Sequence, residues 1–100
     1  MYVVIWAFRV RADRTAGFER AYGPAGAWAE LFKTDPGYRG TELLRDVTVP
    51  DRYLTIDRWV GRAALAAFRA REAVRYAALD EACASLTLDE TLVGEYDVAG

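Results

Sequence analysis

The sequence predicts an α+β domain of ferredoxin-like topology, with the element order β-α-β-β-α-β and a four-stranded antiparallel sheet carrying its helices on one face. Three observations predict it. The chain has 100 residues, which corresponds to a single domain over residues 1–100. Hydrophobic residues make up 53% of it and aromatic residues 13%, enough to fill a packed core. Segments of strand-like alternation and of helical periodicity then follow one another in that order.

The first three elements are indicated by the amino-terminal third of the chain. Residues 2–11 (YVVIWAFRVR) are rich in β-branched and aromatic side chains, and both alternating sets are mostly apolar, which predicts a central strand buried on both faces. Residues 14–22 and 26–33 have apolar residues at helical spacing and are separated by a Gly-Pro pair. We therefore expect a helix, a break and a second helix, with Asp13 as the first N-cap.

Three further segments complete the predicted sheet. Residues 38–47 and 52–60 have strand composition and are joined by a short connection that contains proline, so they are expected to be antiparallel neighbours. Residues 88–98 return to alternation after a long helical segment. They predict the last strand, with Gly94 as the position of a bulge.

The longest predicted helix, residues 62–86, contains the first candidate for catalysis. It is Ala-rich and almost free of β-branched residues, with a kink expected near Ala70. Glu72 interrupts its apolar stripe, and burial in a cavity would raise the pKa of this carboxyl towards that of a general base. The alternative is that the kink turns Glu72 to solvent, where it pairs with a neighbouring arginine. Tyr76 is the second candidate for proton transfer.

Composition excludes several function classes. The formal charge is −2 with no basic block, so nucleic acid is not an expected partner. The chain has no His, Asn or Gln and one Cys, which excludes His-dependent triads, an intrachain disulfide and the usual nitrogen ligands of metals. No metal site and no cofactor are expected. The apolar run before Arg9 is too short to span a bilayer, so we expect a cytoplasmic protein without membrane contact.

Aromatic residues are candidates for a ligand pocket. Trp6 and Phe8 on the first strand, with Phe68 and Tyr76 on the long helix, could bind a flat substrate, since stacked rings attract each other beyond simple burial. Trp28 on the second helix is a candidate for the mouth of this pocket. The alternative is that these side chains only pack in the core.

Charged residues within the predicted strands allow two interpretations. Arg58 and Asp57 lie in the third strand, and Arg45 and Asp46 in the second, so they could form ion pairs across the sheet. Alternatively, Arg58 or Arg45 points into the cavity and polarises a phenolate or carboxylate of the substrate.

The sheet face away from the helices is expected to need a cover. The strands carry apolar residues on both faces, and no predicted element remains to cover the second one. We therefore expect a homodimer in which a second copy buries it.

Several short motifs carry a resemblance to a known family, and they extend over nearly the whole chain. Those motifs are Val10-Arg11, Phe18 with Tyr22, Pro36-Gly37-Tyr38-Arg39-Gly40, Tyr53 to Trp59, and Ala64-Leu65-Ala66-Ala67-Phe68. In these residues the chain resembles the antibiotic biosynthesis monooxygenase (ABM) family. The resemblance implies a dimeric α+β barrel with a pocket between sheet and helices.

The resemblance also implies two activities: cofactor-free oxygenation of aromatic polyketides, and haem degradation in a branch that uses an Asn, a Trp and a His. By register, the Asn of that branch falls on Trp6 and its Trp on Phe68, while its His falls near Tyr76, where the chain has no imidazole. Haem degradation is therefore disfavoured. The expected function is a cofactor-independent monooxygenase acting on a planar aromatic or polyketide-like molecule. The alternatives are a non-catalytic ligand-binding dimer and a cofactor-free cyclase or isomerase.

Overall fold

The structure is a computed structural model that describes residues 1–100. It has four strands and four helices, with a short 3₁₀ turn before the first helix (Ala12–Arg14) and before the last strand (Ala84–Leu86). In chain order the elements are β1 (Tyr2–Val10), α1 (Thr15–Tyr22), α2 (Ala27–Phe32), β2 (Tyr38–Arg45), β3 (Arg52–Trp59), α3 (Arg62–Arg71), α4 (Ala73–Cys83) and β4 (Thr87–Asp97).

The sheet confirms the predicted fold class. Its strand order is β2-β3-β1-β4, and every neighbouring pair is antiparallel. The strand predicted as central, β1, lies between β3 and β4. A register shift between Ile5 and Trp6 of β1, opposite Gly94 and Leu92 of β4, places a bulge where the sequence predicted one.

Two local expectations differ from the structure. The predicted helix over residues 62–86 is two helices, α3 and α4, and the break lies at Glu72, whose φ of −105° and ψ of 24° are not helical. Asp13 lies within the 3₁₀ turn, and no side chain caps α1. The chain therefore enters α1 through this turn and not through an aspartate cap.

The core lies between the sheet and the helices. Alternate side chains of β1 and β3 point to this side, and they include Phe8, Tyr53 and Trp59. Phe68 of α3 is completely buried against Trp59, with ring centroids 5.3 Å apart. Burial of these rings stabilises the fold.

The centre of the opposite sheet face is apolar, and no helix covers it. Val3, Ile5 and Ala7 of β1 lie on it beside Leu54 and Ile56 of β3, and all five are only partly buried. We call these five residues the outer face. None of the helices is long and apolar enough to cross a membrane.

Candidate functional site

A cavity of about 240 Å³ lies between the sheet and the helices. The sheet contributes its floor, through Trp6, Phe8, Thr41, Thr55, Asp57 and Glu90. The helices contribute its roof, through Tyr22, Trp28, Phe32, Tyr76 and Asp80. The antiparallel register brings the floor together, because Thr55 lies opposite Trp6 and Thr41 lies opposite Asp57.

Six aromatic side chains line this cavity. Trp28 and Tyr76 meet edge to face with centroids 4.9 Å apart, and Phe8 lies 5.0 Å from Tyr22. Trp6 has no ring partner within the chain, so a face of its indole remains free to stack on a ligand. The volume lies just below the roughly 300–1,000 Å³ usual for ligand sites, and it suits a ligand of one or two rings.

Asp57 places a carboxylate in this aromatic cavity. The Thr41 hydroxyl donates a hydrogen bond of 2.6 Å to Asp57 Oδ1, and the Tyr38 and Thr41 hydroxyls are in turn hydrogen-bonded at 2.5 Å. Burial raises the pKa of Asp57 to about 6, although the Thr41 hydrogen bond and the charge of Arg69 act in the opposite direction. A carboxyl with a pKa close to neutral can accept and return a proton.

Tyr76 contributes a phenol to the same cavity. Burial raises its pKa above the ordinary value, while nearby Arg69 lowers it in part. The phenol therefore stays protonated near neutral pH and can donate a hydrogen bond to a ligand.

Two further carboxylates lie on the cavity wall. Asp80 of α4 and Glu90 of β4 line it from opposite layers. Burial raises the pKa of Glu90, and the negative charge of Asp80 raises it further. The two acidic groups therefore interact unfavourably across the cavity in the unliganded protein.

The structure brings four of the seven predicted site residues to this cavity. Those four are Trp6, Phe8, Trp28 and Tyr76. The other three, Glu72, Phe68 and Arg58, do not line it.

Glu72, Phe68 and Arg58 have other contacts. Glu72 accepts hydrogen bonds from Arg75 at 3.2 and 3.4 Å, so it has the arginine partner of the alternative interpretation, but its side chain is only 14% exposed and is not turned to solvent. Phe68 is fully buried in the core beneath α3. Arg58 forms an ion pair with Glu42 at 2.6 Å. Since Arg58 alternates with cavity-facing Asp57 along β3, its side chain leaves the sheet on the outer face.

The predicted ion pairs between Arg45 or Asp46 and the third strand are absent. Arg45 lies opposite Tyr53 and pairs with Glu19 at 3.9 Å, while Asp46 accepts backbone hydrogen bonds in the β2–β3 connection. Asp57 was considered only as a partner for such pairs. A signal in the sequence that could have identified Asp57 as a cavity residue is its position in β3. It lies on the same face of the strand as Tyr53, Thr55 and Trp59, which are all buried.

The structure contains no group of three His, Cys, Asp or Glu residues arranged to hold a metal ion. The only thiol, Cys83, is buried, and burial raises its pKa. Carboxylates, phenols, indoles and the hydroxyls of Thr41 and Thr55 are the polar groups that the cavity offers to a ligand.

Several solved structures have the same fold as this chain. SnoaB, a cofactor-independent oxygenase from Streptomyces nogalater, is 20% identical, with a TM-score of 0.72 over 99% of this chain and 93% of its own. A proposed antibiotic biosynthesis monooxygenase from Bordetella bronchiseptica is also 20% identical, with a TM-score of 0.77 over 98% of this chain and 96% of its own. A second such protein, from Nitrosomonas europaea, is 21% identical, with a TM-score of 0.70 over 98% of both chains.

These structural similarities, at such low identity, show the shared fold. No curated protein sequence matches the chain. The sequence model of the family described as antibiotic biosynthesis monooxygenase matches residues 1–78. The chain therefore belongs to the antibiotic biosynthesis monooxygenase family.

Proposed function

We propose that this protein is a cofactor-independent monooxygenase that oxidises a small planar aromatic molecule, with Asp57 as the proton acceptor. The observation that carries the proposal is the carboxyl of Asp57, which has a pKa of about 6 in a cavity lined by six aromatic rings. Near neutral pH this group is largely ionised and is still basic enough to take a proton from an acidic carbon or phenol.

The aromatic walls bind and orient the substrate ring. Trp6 offers a free indole face from the floor, and Trp28 and Tyr76 approach from the roof. The Tyr76 hydroxyl donates a hydrogen bond to an oxygen of the substrate as negative charge develops there. Thr41 holds the Asp57 carboxylate in place through the 2.6 Å hydrogen bond.

The reaction consumes molecular oxygen as the second substrate. Asp57 removes a proton from a ring methylene that a phenol or carbonyl activates, and the resulting carbanion reduces O₂ and joins it as a peroxide. The peroxide takes the proton back from Asp57. Asp57 then removes the second proton of that carbon while the O–O bond breaks and hydroxide leaves, and the hydroxide takes this proton from Asp57 to become water. The balance is R₂CH₂ + O₂ → R₂C=O + H₂O, in which the carbon loses four electrons and O₂ gains four.

Two properties favour chemistry without a cofactor. SnoaB is a cofactor-independent oxygenase of the same fold. The cavity of this chain offers neither imidazole nor thiolate, the usual ligands of redox metals. Haem degradation remains disfavoured for the same reason, since the chain has no His to ligate iron.

The same cavity also favours a second candidate, a cyclase or isomerase without a cofactor. Asp57 and Tyr76 lie in one cavity, and a carboxylate with a neighbouring phenol suffices to move a proton between two positions of a substrate. This reaction requires no oxygen. The third possibility, a ligand-binding protein without catalysis, uses the aromatic walls alone.

The proposed oligomer is a homodimer formed by the outer face. Its five residues are apolar and only partly buried in the single chain, and Leu44 and Tyr96 at its margins are 42% and 47% exposed. A second copy would bury this surface, as a contiguous exposed apolar patch in a soluble protein favours.

Oxygen uptake separates the three candidates. Chelator-treated protein is supplied with anthrones, naphthols and other planar phenols under ¹⁸O₂, while an oxygen electrode and mass spectrometry follow the reaction. A monooxygenase consumes one O₂ per product and incorporates one ¹⁸O atom. A product of unchanged mass formed without oxygen uptake would overturn the proposal in favour of an isomerase. Binding without any product would overturn it in favour of a ligand-binding protein.

A further inference from the structure

We propose that the cavity selects a positively charged ligand, an aromatic phenol of one or two rings that carries an ammonium group, and excludes aromatic carboxylates. The inference rests on the proposed function, because it takes the same cavity as the substrate site. It adds the charge of the substrate, which the family and the fold leave open.

The charged side chains that line the cavity are all acidic, and Arg69, whose charge acts on Asp57 and Tyr76, does not line it. Asp57, Asp80 and Glu90 line it, whereas no Lys or Arg does. The structure contains six ion pairs, and none of them includes any of these three carboxylates. None of the three therefore has a direct ion-pair partner within the chain, although Arg69 is close enough for its charge to lower the pKa of Asp57. A ligand ammonium would be attracted to these groups, and a ligand carboxylate would be repelled.

The aromatic walls favour the same kind of ligand. The face of an aromatic ring carries partial negative charge and attracts cations, most strongly at Trp. Two of the six lining rings are Trp6 and Trp28, and Trp6 has no ring partner that already occupies its face. Rings and carboxylates that face one small volume form an arrangement that recognises organic ammonium ions.

An unpartnered donor at the cavity indicates what else the ligand carries. The side chain of Trp28 lines the cavity and is only 8% exposed, and its Nε1–H, which lies close to Tyr22 and Cys83, makes no hydrogen bond of good geometry within the chain. A buried donor without an acceptor is costly, and a hydroxyl or carbonyl oxygen of the ligand would satisfy it. This observation is independent of the acidic groups, and it favours a ligand with an oxygen substituent, such as a phenol.

The structure also provides space for a charged substituent. A second cavity of about 240 Å³ adjoins the first and shares Tyr22, Asp80 and Glu90 with it. It adds the carboxylate of Asp89 to the acidic wall. A ligand with its ring system in the aromatic cavity could place a short aminoalkyl group between Asp80 and Glu90.

Three probes that share one ring system test the charge preference. They are 6-(aminomethyl)-2-naphthol, 6-(hydroxymethyl)-2-naphthol and 6-hydroxy-2-naphthoate, which carry charges of about +1, 0 and −1 at pH 7.5. Calorimetric titrations under nitrogen measure binding without turnover. We expect the amine to bind at least about tenfold more tightly than the naphthoate, with the alcohol between them, and the difference to shrink as salt is added.

The double variant Asp80→Asn with Glu90→Gln removes two of the charges with little change of volume. We expect the preference for the amine to fall to within about threefold, while the neutral alcohol binds as before. Glu81→Gln is the matched control, since Glu81 neighbours Asp80 on α4 and does not line either cavity. This variant should bind the three probes in the same order of affinity as the wild type.

Three results would overturn the inference: naphthoate binding as tightly as the amine, an amine preference that survives in the double variant, or no binding of any probe. These results are distinct from failure of the proposed function. If the amine is preferred but no substrate consumes oxygen, the charge selectivity stands and the oxygenase role fails. If oxygen is consumed and naphthoate binds as tightly as the amine, the oxygenase role stands and the charge selectivity fails.

Discussion

The Thr41 hydroxyl donates a hydrogen bond of 2.6 Å to Asp57 Oδ1 across the antiparallel pair of β2 and β3. Burial alone raises the pKa of this carboxyl, and the donated hydrogen bond opposes part of that effect because it stabilises the charged form. The result is a pKa of about 6. Thr41 is thus a positioning residue that also keeps Asp57 largely ionised near neutral pH.

Replacing Thr41 by Val should raise the pKa of Asp57 above about 6, because the volume is kept and the hydrogen bond to the carboxylate is lost. Titration of the Asp57 carboxyl carbon by NMR measures this directly. Thr41→Ser retains the hydroxyl and should titrate close to the wild type. An unchanged pKa in the Val variant would show that this hydrogen bond does not set the ionisation of Asp57.

Asp57 should make the fold more stable at low pH than at high pH. Its pKa rises from 3.8 to about 6 on folding, so the folded protein retains a proton that the unfolded chain has released between these values. The stability from this group is complete below pH 3.8 and is lost as the pH rises through about 6. Ionised Asp57 then costs up to about 3 kcal/mol.

Asp57→Asn removes that cost and should raise the free energy of unfolding at pH 8 by about 1 to 3 kcal/mol, with a smaller difference at pH 5. Urea denaturation at the two pH values measures both quantities. Equal destabilisation of the variant at pH 5 and pH 8 would contradict the burial of a charge at this position.

The outer face should hold two copies together. Ile56→Asp places a charge beside Ile5 at the centre of this face and should convert a dimer into a monomer in light scattering at micromolar concentration. Val74→Asp introduces the same charge on α4, where Val74 is already 84% exposed, and should remain dimeric. A monomeric wild type would rule out this interface.

Much of the fold could be predicted because its signals are local. In residues 2–11 both alternating sets of side chains are mostly apolar, and this pattern indicated the central strand. The short connection that contains proline indicated that β2 and β3 are neighbours. The break at Glu72 was placed two residues too early, because Ala-rich sequence favours helix on both sides of it.

The candidate site was less accessible from sequence, because it depends on register between distant segments. Trp6 and Tyr76 were identified as aromatic residues on strand and helix, and both line the cavity. Glu72 was favoured over Asp57 because it interrupts an apolar helical stripe. The pairing of Asp57 with Thr41 follows from the β2–β3 register, which includes a shift between Tyr38 and Gly40 that the sequence does not reveal.

The central claim, that Asp57 carries out proton transfer in an oxygenation, is tested most directly by the pH dependence of oxygen uptake in matched variants. With a substrate identified in the oxygen-uptake screen, the wild-type rate should rise with pH through an apparent pKa of about 6. In Asp57→Asn the rate should fall by a factor of about 10² to 10⁴, and it should no longer rise with pH through this range. Glu72→Gln, the same change of carboxyl to amide outside the cavity, should keep both. A wild-type rate and pH profile in Asp57→Asn would contradict the account.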